Sequence, residues 1–278
     1  MTEPKRPHVS PSALDTYLRC GEQYRRRYIN GEKIPPGVAL VKGASVHRAA
    51  ETNYRQKIET HADLPVPDLQ EAAAAAVGDM VTRDGLFLAP DETARGMAKV
   101  RGEIIDRAVV LTGLFAQRVA PTVQPALVEE WVTIPLPSFT HDLLGRLDVA
   151  DADGVVHDLK TAGKRKTQDE VDRSDQLTYY HLAYQHKTGK PSAGVMMDVL
   201  IDKTRPEAQR LTATRTQADA QVFVNRLNAM LAGVKAGSFP PAPLGAWWCS
   251  FRFCGFAGSC PYFNSERKAA AEANDFNV

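Results

Sequence analysis

Two aspartates and a lysine lie on neighbouring strand-like runs near the middle of the chain, and they constrain its fold more than any other feature. Asp148 lies near the end of the run 143–150, and Asp158-Leu159-Lys160 closes the run 155–160. The residues between the runs, 151–154, read Asp-Ala-Asp-Gly, a turn signal in which glycine adopts a left-handed conformation at little cost. The pattern predicts a β-hairpin that carries both carboxylates.

The length of the turn decides whether the two carboxylates meet. A three-residue loop (152–154) sets Asp148 opposite Asp158, whereas a two-residue loop (153–154) shifts the register and separates them. Directly opposed side chains have Cβ atoms about 4.5–5.5 Å apart, so two like charges there require a cation between them. Strand periodicity places Lys160 on the face of Asp158. With the longer loop we predict a Mg²⁺ or Mn²⁺ site with a lysine beside it to hold a water, and otherwise solvated charges on an edge hairpin.

Composition limits the classes of protein to which the chain can belong. Its 278 residues are 44% hydrophobic and 24% charged, which is enough for a substantial core. The net charge of +1 excludes recognition of nucleic acid by overall basicity, so an anionic partner must be met by a local patch. No apolar run approaches the roughly 20 residues of a membrane helix, and the N-terminus lacks a signal-peptide core. We therefore expect a cytoplasmic protein without a membrane partner.

The order of predicted elements indicates a mixed α/β fold. After a disordered lead (1–9), helices are predicted over 10–30, 43–58, 70–82 and 91–118. Strand 126–136 and the hairpin follow, and then helix 167–187, strand 193–201, a weaker strand 210–215 and helix 217–235. A central mixed sheet flanked by helices fits this order. We expect one domain over 1–264, with a mainly helical part (10–120), a catalytic core (121–236) and a cysteine segment (237–264), followed by a polar tail (265–278).

Side chains elsewhere in the chain could complete a site at the hairpin. His47 lies early in the second helix and is a candidate third ligand, because two carboxylates leave most positions on Mg²⁺ or Mn²⁺ open. Gln176 and Tyr180 are four residues apart on one helix face and could hydrogen-bond a phosphate or a nucleotide. The run Lys164-Arg165-Lys166 could hold a phosphate backbone. Taken singly, each of these also fits an ordinary structural role.

The cysteines are unevenly distributed. Cys249, Cys254 and Cys260 lie within twelve residues among many aromatic side chains, while Cys20 lies near the start on what the periodicity predicts as an apolar helical face. Disulfides are rare in a reducing compartment. Zinc sites usually contain paired short knuckles, so this three-plus-one arrangement favours an iron–sulfur cluster, with zinc as the alternative occupant. Such a cluster would join the first helix to the cysteine segment, and the aromatic residues would shield it.

Together these residues resemble the PD-(D/E)xK nuclease superfamily, in particular its RecB-like branch with a four-cysteine iron–sulfur cluster. That branch includes AddB-type nucleases, small CRISPR-associated exonucleases and phage exonucleases. Gly43-x-x-x-His47, Gly145-Arg146-Leu147-Asp148, Asp158-Leu159-Lys160 and Gln176-x-x-x-Tyr180 match successive motifs, and Ser10-x-Ser12-x-Leu14-x-x-Tyr17-x-x-Cys20-x-x-x-Tyr24 resembles the opening helix. Two departures are Gly21, where the family often has proline, and the four-residue spacing between Cys249 and Cys254.

The resemblance implies a restriction-endonuclease-like core and metal-dependent hydrolysis of DNA. By this similarity His47, Asp148, Asp158 and the Leu159 carbonyl bind Mg²⁺ or Mn²⁺, and Lys160 activates the attacking water. The resemblance also implies a 4Fe-4S cluster on Cys20, Cys249, Cys254 and Cys260, and substrate contacts from Gln176 and Tyr180. We expect an exonuclease on single-stranded DNA, with a recombination or CRISPR-adaptation complex as a candidate partner. The alternative is a catalytically weak DNA-binding adaptor of such a complex.

Overall fold

A mixed β-sheet of six strands forms the centre of the part of the chain that the computed structural model describes, residues 6–136 and 139–263. The strands are β1 (His8–Val9), β2 (Pro125–Ile134), β3 (Asp142–Asp151), β4 (Val155–Ala162), β5 (Gly194–Ile201) and β6 (Glu207–Ala213). β1 is parallel to β3 and β4 is parallel to β5, while the other pairs are antiparallel. The predicted tail, 265–278, lies outside the described residues.

Helices cover both faces of this sheet, which confirms the predicted fold class. They are α1 (Pro11–Arg19), α2 (Gly21–Tyr24), α3 (Val38–Thr60), α4 (Val66–Asp84), α5 (Pro90–Arg95), α6 (Met97–Arg118), α7 (Gln168–Asp172), α8 (Asp175–Thr188) and α9 (Gln217–Lys235). α1, α8 and α9 pack against one face, and α3 and α6 pack against the other. α4 packs on α3 and α6 away from the sheet.

The N-terminal region differs from the prediction at two points. His8 and Val9, predicted to be disordered, form β1 beside the start of β3. The predicted helix 10–30 breaks at Cys20, whose backbone is extended with φ −162°. Cys20 therefore lies between α1 and α2 rather than on a helical face, and its Sγ caps α2 by accepting from the Gln23 N–H at 3.4 Å. A short π-helix, Arg25–Ile29, continues from α2.

Two longer predicted helices are also interrupted. The helix predicted over 91–118 breaks at Gly96, which has a positive φ of 85° and separates α5 from α6. The helix predicted over 167–187 breaks before α8, where Ser174 accepts a capping hydrogen bond from the Leu177 N–H. The weaker strand begins and ends earlier than predicted, at Glu207–Ala213.

The hairpin between β3 and β4 has the three-residue loop that brings the carboxylates together. Val149 pairs with His157 and Ala150 with Val156, which is the register of the three-residue loop among the two that the sequence left open. The Asp151 carboxylate accepts from the Val155 N–H at 2.8 Å, and Gly154 has the expected left-handed φ of 81°. Beyond these two pairs the described residues of β3 and β4 do not pair, and β1 pairs with the start of β3. A gap opens beside residues 144–148.

The described part of the cysteine segment consists of turns and one short 3₁₀ helix, Ala257–Ser259, packed on the N-terminal helices. The Gly21 N–H donates to the Pro240 carbonyl at 2.6 Å, and the Tyr17 hydroxyl donates to the Ser238 carbonyl at 2.9 Å. Arg26 donates to Ser259 Oγ at 2.9 Å. These contacts join the N-terminal helices to the cysteine segment. The predicted link through a cluster on the four cysteines stays a prediction.

Among the described helices, none has both the length and the apolar character that a membrane-crossing segment requires.

Candidate active site

A chain of hydrogen bonds links the two hairpin aspartates to α8. Lys160 Nζ lies 2.9 Å from Asp158 Oδ1 and donates to Gln176 Oε1 at 2.8 Å. Gln176 Nε2 donates to the Tyr180 hydroxyl at 2.8 Å, and that hydroxyl donates to Asp148 Oδ1 at 2.6 Å. Gln176 and Tyr180, predicted as substrate contacts, thus also fix the orientation of Lys160 and Asp148.

Two glycines allow the helices to approach this site closely. A Cβ on Gly145 would lie 2.6 Å from the ring of Tyr179, which is fully buried next to Tyr180. Glycine at position 145 therefore lets α8 lie close enough to the sheet for Tyr180 to reach Asp148. On the other face, a Cβ on Gly43 would lie 3.0 Å from Thr161 Oγ1. Gly43, one turn before His47, therefore lets α3 lie close to β4, so that the His47 imidazole reaches the site.

The metal-ligating atoms of His47, Asp148 and Glu129 all lie within 4.8 Å of one another, and no other such group of three occurs among residues 6–136 and 139–263. His47 Nδ1 lies 3.7 Å from Asp148 Oδ2. Asp158 is outside this group, although its carboxyl lies within hydrogen-bonding reach of Asp148. The structure therefore brings His47 and Asp148 together as predicted, and it adds Glu129. We call Glu129, Asp148 and Asp158, with His47 and Lys160, the carboxylate centre.

The carboxylate centre has a deficit of positive charge. Burial raises the pKa of Asp158 to about 7, with Lys160 opposing the shift and Asp148 adding to it. Burial and Asp148 likewise raise the pKa of Glu129 to about 7, against the effect of Arg146. Asp148 Oδ2 and Asp158 Oδ2 are buried and accept no hydrogen bond from the described residues. Oxygen atoms of this kind, with an imidazole, suit a hard divalent cation.

Leu159 lies at the same place in the structure. It is buried and, with His47, Glu129 and Asp148, lines a cavity of about 20 Å³ between α3 and the sheet. A cavity of this size accommodates about one water molecule. The predicted role of the Leu159 carbonyl as a ligand stays a prediction.

A larger groove, of about 1010 Å³, opens on the α8 side of the site. Lys160, Gln176 and Tyr180 line it, together with residues from α1, the π-helix, β2 and β3. Of the predicted basic run, Lys166 lines the groove and pairs with Glu170 at 2.7 Å. Arg165 does not line it and pairs instead with Glu207 at 3.1 Å, and Lys164 is exposed without lining it. Only one residue of the run therefore lies where a substrate in the groove would pass.

The four cysteines approach one another where the N-terminal helices contact the cysteine segment. No disulfide joins them. Burial raises the pKa of Cys254 to about 11, and the thiols of Cys20, Cys249 and Cys260 add to this shift, so all four lie near one another. Among the described residues, no three of these thiols have all their sulfur atoms within 4.8 Å of one another.

The expected aromatic shield around the thiols forms only in part. Phe256 and Phe263 are buried, but Trp247, Phe253 and Tyr262 are exposed on the outside of the segment. Trp247 and Phe253 contact each other edge to face with ring centroids 4.8 Å apart.

Glu129 was not proposed from the sequence, and its backbone explains why. It has a left-handed φ of 54°, uncommon for a residue other than glycine. Val128 before it packs against α3 and α6, whereas Val132 after it packs on the α8 side, so the buried face of β2 changes at this point. Strand periodicity alone could not assign Glu129 or Glu130 to the site. The two acidic residues inside an otherwise apolar strand were the available signal.

Comparison with known proteins agrees with this geometry. The family model for the PD-(D/E)XK nuclease superfamily matches residues 8–261. A crystal structure of a "putative exonuclease" from Eubacterium rectale is 14% identical with a TM-score of 0.56, and the match covers 85% of this chain and 84% of that one. This likeness shows the fold alone.

A structure named SSO0001 is 13% identical with a TM-score of 0.36 and coverage of 91% and 96%, which is too distant to support an argument. No curated protein matches the sequence significantly. The family model spans nearly the whole described chain, and nucleases of this family use divalent metals. The core is the predicted restriction-endonuclease-like one, and the chain belongs to the PD-(D/E)XK nuclease superfamily.

Proposed function

We propose that this protein is a metal-dependent exonuclease that hydrolyses phosphodiester bonds at single-stranded DNA ends. The observation that carries the proposal is the carboxylate centre: Asp148 and Asp158 have buried oxygens without hydrogen-bond partners, and Lys160 lies 2.9 Å from Asp158. Family membership supports nuclease activity. Exonuclease action and the preference for single strands are part of the proposal.

In this proposal His47, Glu129 and Asp148, with Asp158 and the Leu159 carbonyl, hold Mg²⁺ or Mn²⁺. When bound there, the ion polarises the phosphodiester and lowers the pKa of a water. Burial would lower the pKa of Lys160, but the Asp158 and Asp148 carboxylates outweigh it and raise that pKa. Lys160 is therefore a cation at neutral pH, which suits it to orient the attacking water and to stabilise charge that develops on the phosphate. Gln176 fixes the lysine in this position.

The groove supports a single-stranded substrate. Lys160, Gln176 and Tyr180 line it together with residues from the start of α1 and the π-helix. A single strand can adapt to such a confined path more easily than a rigid duplex can. The groove therefore favours strand ends, in agreement with exonuclease action.

We further propose that Cys20, Cys249, Cys254 and Cys260 bind a 4Fe-4S cluster with a structural role, as in the RecB-like branch. The thiols lie near one another, and their three-plus-one arrangement without paired short knuckles favours an iron–sulfur cluster over a single zinc ion. A cytoplasmic location and a partner complex for recombination or CRISPR adaptation stay expectations.

Cleavage of labelled DNA tests the proposed activity. Wild-type protein with Mn²⁺ should shorten end-labelled single strands stepwise, and EDTA should stop the reaction. Asp158→Ala or Lys160→Ala should lower the rate at least about a thousandfold, because each removes a group that acts on the reacting atoms. Unchanged rates in both variants would contradict the assignment. Binding of DNA without EDTA-sensitive cleavage by the wild type would instead favour the adaptor alternative.

Anaerobic purification tests the proposed cluster. We expect brown protein with absorbance near 400 nm and about four iron atoms per chain. Cys254→Ser should abolish both signals, because it removes one of the four proposed cluster ligands. Colourless protein with one zinc per chain would contradict the cluster and support the alternative metal.

A further inference from the structure

An exposed tryptophan lies in the groove beside the carboxylate centre. Trp131 on β2 is 65% exposed, so burial within the chain does not account for this large apolar ring. It pairs directly with Arg146 across β2 and β3, and the Arg146 guanidinium lies 5.8 Å from its ring centroid. Arg146 Nε in turn lies 2.5 Å from Glu129 Oε2. Trp131 is therefore two contacts away from the carboxylate centre.

The groove around Trp131 has the chemistry of a site for a polyanion with flat rings. Its lining includes five lysine and arginine side chains, each of which pairs with a carboxylate, and His8 and His141 add further donors. Tyr28 and Ile29 of the π-helix, both exposed, line it as well. Aromatic side chains beside basic donors in one groove are the combination by which proteins bind single strands without sequence preference.

We propose that Trp131 stacks on an unpaired base of single-stranded nucleic acid near the scissile phosphate, with Arg146 contacting the adjoining phosphate. This inference rests on the proposed nuclease function and names the feature of the substrate that the groove recognises. Stacking on an indole requires a base whose face is free, so Trp131 selects single strands over intact duplex. Every base offers such a face, so the site does not read sequence.

Binding of a fluorescein-labelled dT₂₀ strand in EDTA, which prevents metal-dependent cleavage, tests the inference by anisotropy. Trp131→Ala should raise the Kd at least about fivefold, and Trp131→Phe, which keeps an aromatic ring, should bind within about twofold of the wild type. The same strand built from abasic residues separates stacking from shape: on it, Trp131→Ala and wild type should bind equally. Trp247→Ala is the matched control, because Trp247 is 66% exposed but lies outside the groove lining.

Two results would overturn the inference while leaving the proposed function intact. One is an unchanged Kd of Trp131→Ala for dT₂₀ in a background where the wild type binds and cleaves. The other is an equal loss of binding on the dT₂₀ and abasic strands, which would indicate a structural role. A wild type that neither binds nor cleaves single strands would remove the proposed function, and the inference with it.

Discussion

The carboxylate centre and the cysteine segment are built in opposite ways. The carboxylate centre stands on paired strands and on α3 and α8, and its side chains hold one another through hydrogen bonds from Lys160 to Asp148. The cysteine segment is mostly turns, and contacts with the N-terminal helices hold it in place. The first site is positioned by regular backbone, so its geometry follows from strand register and helix period. The second depends on tertiary contacts between the N-terminal helices and the cysteine segment.

This difference predicts that the two regions can be damaged separately. The carboxylate centre should be sensitive to single ligands and to the seating of α8. The cysteine segment should be sensitive to substitution of Gly21, which packs closely against Phe239 and Pro240.

Among the residues that do not belong to the motifs predicted from the sequence, Glu129 should have the largest effect on metal affinity when it is replaced, as in Glu129→Gln. Loss of one carboxylate ligand should weaken Mn²⁺ binding by at least the roughly 10–100-fold that the loss of a partner of a ligand costs, as measured by titration calorimetry. Glu130→Gln is the matched control, because Glu130 is the neighbouring residue and pairs with Lys187 on the surface. Equal Mn²⁺ affinity in the two variants would remove Glu129 from the carboxylate centre.

Gly145→Ala should damage the carboxylate centre by moving α8. Its Cβ would overlap the buried Tyr179 ring, and overpacking of this kind costs about 1–3 kcal/mol in the free energy of unfolding. Cleavage should fall while the metal content of the cysteine segment stays constant. Gly102→Ala, in α6 with open space at the Cβ, should instead gain up to about 1 kcal/mol by urea unfolding. A stable, fully active Gly145→Ala variant would contradict the claim that glycine at this position is needed for α8 to pack close to the sheet.

Gly21→Ala should damage the other region. A Cβ at this position would lie 2.6 Å from the Phe239 backbone carbon, so this close packing must open. We expect a loss of about 1–3 kcal/mol in stability, with lower iron content and faster proteolysis of the cysteine segment. Mn²⁺ binding at the carboxylate centre should change less than twofold, which is the smallest effect of the series. Loss of Mn²⁺ binding together with iron would show that the two regions are coupled.

The parts of the site that depend on local geometry could be predicted from the sequence. The Asp-Gly signal predicted the hairpin that carries Asp148 and Asp158, but it left two registers open, and the structure has the one with the three-residue loop. Helix period put Gln176 and Tyr180 on one face. Glu129 could not be assigned, because a left-handed residue in β2 changes which side chains are buried. Cys20 was placed on a helical face because apolar residues continue at helical spacing across the break between α1 and α2.

The groove could not be predicted at all. It depends on where the pairing of β3 with β4 ends and on the position of the π-helix, and both are properties of tertiary structure. The sequence therefore carries no signal that singles out Trp131, which is one aromatic residue in an ordinary strand.

The most direct test of the account is anomalous diffraction from crystals soaked in Mn²⁺. We predict one strong manganese peak within coordinating distance of His47, Glu129 and Asp148, and its loss in Asp148→Ala crystals grown and soaked in the same way. A manganese peak bound elsewhere, or none at these residues in the wild type, would contradict the assignment of the carboxylate centre as the metal site of this nuclease.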